Sequence, residues 1–191
     1  VSRGAPNPGP SAAARNRTAL VAAAREVFAE SGIDAPLNAV ARRAGVGQGS
    51  LYRHFPDRAA LVAAVFEQNV ADLEARAQDA DLDLAGVLGV LTEQAIASVA
   101  MVDLVTRGPG YDERLRALHD RVAAVLASRL DAARAAGSVP ATATVDDLLL
   151  GLLMVVGALG KTPPERRPEV AVRAWRLLGA QVDVAATTVR G

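Results

Sequence analysis

Apolar and polar positions repeat with a helical period along almost the whole chain. Between residues 15 and 31, Leu20, Ala24, Val27 and Phe28 follow the i, i+4, i+7, i+8 spacing of one buried face. Gly32 ends that pattern with a residue suited to a left-handed C-cap. Leu37, Val40, Ala41 and Ala44 form a second, shorter stripe, entered through Pro36, whose missing N–H costs little at a helix start. Gly45 and Gly47 bracket a sharp turn, and a third segment runs from Gln48 to Phe55 until Pro56 stops it. Asp57 is placed to cap a fourth helix reaching Asp79.

Further on, the pattern predicts a helix from Leu84 to Val102 carrying Val87, Leu88, Leu91, Ala95 and Val99. A break follows at Arg107-Gly-Pro-Gly110, then a helix from Asp112 to Ala136. A helix from Val145 to Leu159 is apolar nearly all round after Asp147, which places it at the centre of a monomer or between subunits. A Pro-rich link, Lys161 to Arg167, leads to a last helix from Pro168 to Ala186 with Val170, Ala174, Trp175, Leu178 and Val182 on a broad face. No sustained alternation of β-branched and polar residues is present, so the expected fold is all-α.

Composition sharpens this picture. Apolar residues make up 51% of the 191 and aromatics only 3%, so the core is built mostly from Ala, Val and Leu. The absence of cysteine excludes disulfides, thiolate metal sites and cysteine nucleophiles, and is consistent with a cytoplasmic protein. Residues 1–14 lack the apolar centre of a signal peptide and read as a disordered tail. The longest apolar run, Leu148 to Gly160, is too short for a membrane span, which needs about 20 residues. Net charge is zero, but residues 1–67 hold eight arginines against five acids, and the remainder holds thirteen basic against sixteen acidic residues. A basic amino-terminal part on an acidic remainder fits a nucleic-acid head on a separate body.

The third segment gives that head its chemistry. At 100° per residue, Leu51 and Phe55 face inward together, while Gly49, Ser50 and Arg53 lie opposite, and Gln48 sits at the open amino-terminal end. Gln pairs bidentately with adenine, Ser bonds donors or acceptors, and Arg reads guanine or holds phosphate in a major groove. Gly49 permits close backbone approach. Tyr52 lies at the flank, where its ring can pack and its hydroxyl reach outward. Arg15 and Arg17, at the start of the first helix, either reach phosphate or the minor groove or form a solvated helix end.

The stretch AVARRAGVGQGSLYRHFPDRAALVAAV resembles the helix-turn-helix signature of the tetracycline-repressor (TetR) family of bacterial regulators. The wording GVGQGSLYRHFPDRAAL and the segment DARAAGSVPATATVDDLLLGLL are also similar to its branch with an SbtR-like carboxy-terminal domain. The resemblance implies a helix-turn-helix DNA-binding domain over 15–60 and a helical ligand-binding and dimerisation domain over 61–191. It implies groove-facing roles for Gln48, Ser50 and Arg53, and phosphate or packing roles for Tyr52 and His54. Arg58 would touch phosphate, as would the start of the second helix at Leu37 and Asn38. The chain departs from the common pattern in Ala35-Pro36-Leu37, where many members place Thr or Ser, and in Gln48, where Lys or Val is commoner.

For the body the resemblance implies a pocket for a small hydrophobic effector. Met101, Val105, Leu118, Val122, Met154 and Trp175 are candidates to line it, with Tyr111 and His119 as polar groups that orient a ligand. It also implies a homodimer through the last two helices, and hence a palindromic operator in double-stranded DNA. A body serving only as a dimerisation or protein-partner module is the alternative. His54 and His119 are the only histidines and show no metal spacing, and no nucleophile–base, phosphate-loop or dinucleotide motif occurs. No cofactor and no enzymatic activity are therefore expected. Asp146-Asp147 reads as a helix cap.

Overall fold

The computed structural model of the protein describes residues 10–32, 34–97, 113–182 and 184, among which helices and no strands occur. In chain order they are α1 (Pro10–Ser31), α2 (Leu37–Arg43), α3 (Gln48–His54), α4 (Arg58–Arg76), α5 (Leu84–Ala97), α6 (Glu113–Ala135), α7 (Val145–Leu159) and α8 (Arg167–Leu177). A short 3₁₀ turn, Pro164–Arg166, precedes α8. The chain divides into two compact units, residues 1–65 and 66–191, with the boundary inside α4.

In the first unit, α1 begins at Pro10 rather than Arg15. The Pro and Ser that suggested a loose tail are compatible with a helical first turn, and Ala12, Ala13 and Ala14 are strong helix formers. Residues 1–9 lie outside the described ones. Leu20, Ala24, Val27 and Phe28 are buried as their spacing predicts, and α1 packs on both α2 and α3. The Arg43 guanidinium, on α2, reaches back to Glu26 at 2.9 Å and Glu30 at 2.7 Å on α1. Its hydrogen bonds hold the Glu30 carboxyl below the usual carboxylate range.

In the second unit, α5 is the central helix. Val87, Leu88, Gly89, Val90, Leu91 and Thr92 are all buried in succession, so this helix is covered on every side. It packs on α6, α7 and α8. From α6 come Leu126 and Leu130, from α7 Leu148, Val155 and Leu159, and from α8 Ala171 and Trp175, all in one core with Leu73 of α4. Arg121 of α6 clasps Glu74 of α4 at 2.8 and 2.6 Å. Arg129 donates to the carbonyls of Ala77 at 2.7 Å and Leu82 at 2.8 Å, fixing the loop after α4. The expected residues 98–102 of the fifth helix and the break at 107–110 lie outside the described residues.

Of the two places that the apolar pattern allowed the segment 145–159, the structure excludes the centre of the monomer: the helix buries Leu148, Gly151, Val155, Val156 and Leu159 but leaves Leu150, Leu153 and Met154 exposed. The expectation for the last helix needs correction. The last helix ends at Leu177, nine residues before the expected Ala186. Gly179 adopts φ 81°, its N–H bonds the Arg176 carbonyl at 3.1 Å, and the Ala180 N–H bonds the Trp175 carbonyl at 3.0 Å. This paired closure satisfies the last carbonyls and turns the chain. Val182 is buried beyond the helix rather than on its face.

Of the acidic pair that opens α7, Asp147 belongs to the helix cap, as its position suggested. The Asp147 carboxylate accepts from the Thr144 hydroxyl at 2.7 Å and the Thr144 N–H at 2.8 Å, while the Asp147 N–H donates to the Thr144 hydroxyl oxygen at 3.2 Å. The hydroxyl bond first, and the backbone bond second, hold the Asp147 carboxyl below its ordinary value. A depressed folded-state pKa contributes stability above the unfolded value, lost as pH falls through the folded one. Asp147→Asn should therefore flatten the decline in melting temperature between about pH 5 and pH 3, where an unperturbed Asp near 3.9 titrates. A thermal-melt series over that range checks this, and unchanged slopes would remove Asp147 from the acid response.

Candidate nucleic-acid interface

The reading element is assembled by backbone closure at one glycine. Gly45 follows α2 with φ 65°, a left-handed conformation that a side chain disfavours. Its N–H bonds the Arg42 carbonyl at 3.1 Å, and the Val46 N–H bonds the Ala41 carbonyl at 3.0 Å. The chain then enters α3 through Gly47, whose carbonyl accepts from Ser50 at 2.8 Å and Leu51 at 3.1 Å. No side chain caps either α2 or α3, in agreement with Pro36 standing where a hydroxyl residue would supply a cap.

Side chains on α3 divide as its period predicts. Leu51 and Phe55 are buried, while Gln48, Gly49, Tyr52 and Arg53 are exposed and Ser50 and His54 half-buried. The Arg53 Nε donates to the Gly49 carbonyl one turn back at 3.1 Å, which steers the guanidinium along the exposed face. Arg17, on α1, stands over the Phe55 ring at 5.6 Å, a cation–π contact with the residue that ends α3. His54 tilts against the same ring, with centroids 6.3 Å apart. Arg15 and Asn38 are exposed, and Leu37 is half-buried.

Arg58 is more enclosed than a bare phosphate contact would be. Its Nη1 donates to the Ala35 carbonyl at 2.8 Å, which ties the start of α4 to the loop before α2. Asp57 caps α4 by accepting from the Ala60 N–H at 2.7 Å. Arg43, by contrast, spends its guanidinium on the two α1 carboxylates.

Among the described residues, the proposed pocket residues are not gathered into one lining. Met101, Val105 and Tyr111 lie outside the described residues. His119 and Met154 are exposed, because each falls on the outer face of its helix, and Leu118 and Val122 are half-buried. Trp175 is sealed in the core, its Nε1–H donating to the Thr92 hydroxyl at 2.9 Å. His119, Met154 and Trp175 therefore do not face a cavity together. The sequence reading missed Thr92, which looks like an ordinary polar position on a helix and has its role set by a residue 83 positions away. Among the described residues no cluster of potential metal ligands occurs, and no helix is long and apolar enough to cross a membrane.

A family model described as bacterial regulatory proteins, tetR family, matches residues 20–65. Among curated proteins, the HTH-type transcriptional regulator TtgW of Pseudomonas putida is 35% identical over 94 residues, 49% of this chain. That match spans 65% of the relative's own length, less than two thirds. Among solved structures, a TetR transcriptional regulator from Streptomyces coelicolor superposes with a TM-score of 0.63 at 30% identity, covering 89% of this chain and 99% of the other. A TetR regulatory protein from Mycobacterium vanbaalenii gives a TM-score of 0.58 at 33% identity, covering 81% and 98% respectively.

Proposed function

Because the chain belongs to the TetR family of bacterial regulatory proteins, we propose that it is a sequence-specific transcriptional repressor that a small hydrophobic molecule releases from a palindromic operator. The observation that carries the DNA reading is α3, anchored inward by Leu51 and Phe55 with Gln48, Gly49 and Arg53 exposed. Gln48, Ser50 and Arg53 read base edges in the major groove. Arg15, Arg17, Tyr52, His54, Arg58 and the start of α2 at Leu37 and Asn38 serve the phosphate backbone, directly or by holding the reading helix. Two copies joined through α7 and α8 place two such heads on one operator. The protein works in the cytoplasm, where its DNA is.

A gel-shift titration on the DNA flanking its own gene, with competitor and defined salt, tests this. A discrete complex at nanomolar protein supports the reading, and binding no tighter than to competitor on any genomic fragment refutes it. Arg53→Ala should weaken the specific complex by about 1–3 kcal/mol and relax preference at one base pair. An equal loss on all sequences would make Arg53 a phosphate contact only.

A further inference from the structure

Two polar residues are buried among the described ones, Asn69 on α4 and Thr92 on α5, and the fold treats them differently. The Thr92 hydroxyl donates to the Leu88 carbonyl at 2.6 Å and accepts from Trp175 at 2.9 Å. Asn69 is only 5% exposed, and its side-chain Oδ1 is sealed from solvent with no hydrogen-bond partner. The Gln94 side chain on α5 comes close enough to donate at 2.9 Å, but to the backbone carbonyl of Asn69. Asn69 also stands midway between Val65 and Leu73 on one line of α4, both fully buried, where an apolar residue would be the simple choice. An unmade bond at a buried acceptor is destabilising, whereas an apolar group of the same shape would be neutral or better, so such an acceptor calls for a reason.

We propose that Asn69 Oδ1 is the recognition point for the effector, which is a mainly apolar molecule carrying one hydroxyl or N–H donor. This rests on the reading of the protein as a ligand-released regulator. The molecule is mainly apolar because the neighbours of Asn69 along this line of α4, Val65 and Leu73, are fully buried and apolar. In the arrangement described here the oxygen is closed off, so the donor reaches it only in a second arrangement of the body. A molecule that binds the second arrangement better draws the population toward it by that difference in affinity. The unsatisfied acceptor brings the two arrangements closer in energy before any ligand arrives.

Two measurements test this on the full chain. Asn69→Leu, which keeps the side-chain shape, should raise the melting temperature of the ligand-free protein by about 2–4 °C at fixed concentration. An unchanged or lowered value would mean that the amide supports the fold, and would overturn the proposal. The second measurement titrates 1-decanol and its methyl ether, which differ in one donor, by calorimetry. The alcohol should bind wild type about tenfold tighter than the ether, and Asn69→Leu should erase that difference. Equal binding of the two probes, discrimination retained in Asn69→Leu, or no binding of the alcohol to wild type would each overturn it. Gel shifts run in parallel separate the two readings. Failure of wild type to bind operator DNA sinks the regulator, whereas normal DNA binding with failed probe arms sinks the role of Asn69 alone.

Discussion

Trp175→Ala should destabilise the second unit by about 3–5 kcal/mol, a large part of the total stability of a domain. The ring is only 2% exposed and belongs to the core shared by α5, α7 and α8. Its removal leaves a cavity and takes away the donor that meets the Thr92 hydroxyl at 2.9 Å. The ring also explains a glycine: a Cβ built at Gly151 on α7 would stand 3.2 Å from Trp175 Cζ3. Enclosed as it is, the ring has little room to retreat. Gly151→Ala should therefore destabilise the wild-type chain, although alanine is the better helix former by about 1 kcal/mol. In the Trp175→Ala background the crowding is gone, and the same Gly151→Ala change should become stabilising. Denaturant melts of the four chains would read this reversal of sign, and a Gly151→Ala effect equal in both backgrounds would show that the two residues do not constrain each other.

Most of the reading head was legible because its signals are local. A stripe at i, i+3, i+4, i+7, a glycine at the left-handed position and a proline after Phe55 are properties of neighbouring residues, and the structure closes α2 through Gly45 by that logic. The body was less legible because its roles depend on facing. Leu148 to Leu159 is apolar nearly all round in sequence, yet whether it or Leu84 to Ala97 takes the centre is decided by packing among distant helices. Gly179 was hidden inside an Ala- and Val-rich pattern that continues past it, so the end of α8 could not be read from periodicity. Residue type suggested His119 and Met154 for a pocket, but both fall on outer faces. Asn69 was invisible for the opposite reason: the buried stripe of α4 is apolar on either side of it, and a single polar position reads as surface.

Leu153→Asp should convert the proposed dimer to monomers while leaving each chain folded. On α7, Leu150, Leu153, Met154 and Gly157 are exposed and fall at i, i+3, i+4, i+7, a second apolar stripe beside the buried one of Leu148, Gly151, Val155 and Leu159. A helix with two apolar faces and one covered calls for another partner. Leu150 at 55%, Leu153 at 48% and Met154 at 54% exposure are too open to hold the chain's own core together, so a carboxylate at 153 costs the isolated fold little. Across a two-fold axis the same change occurs twice. Losing two buried leucines, at about 1.5–3 kcal/mol each, and facing two carboxylates toward apolar surface should weaken association by more than a thousandfold. Sedimentation at micromolar protein, with circular dichroism as the check on folding, would show this. The operator complex should weaken in parallel, because one head alone makes half the contacts. A Leu153→Asp chain that remained dimeric would move the interface off this face of α7, and one that lost its helicity would mean that Leu153 belongs to the core of its own chain.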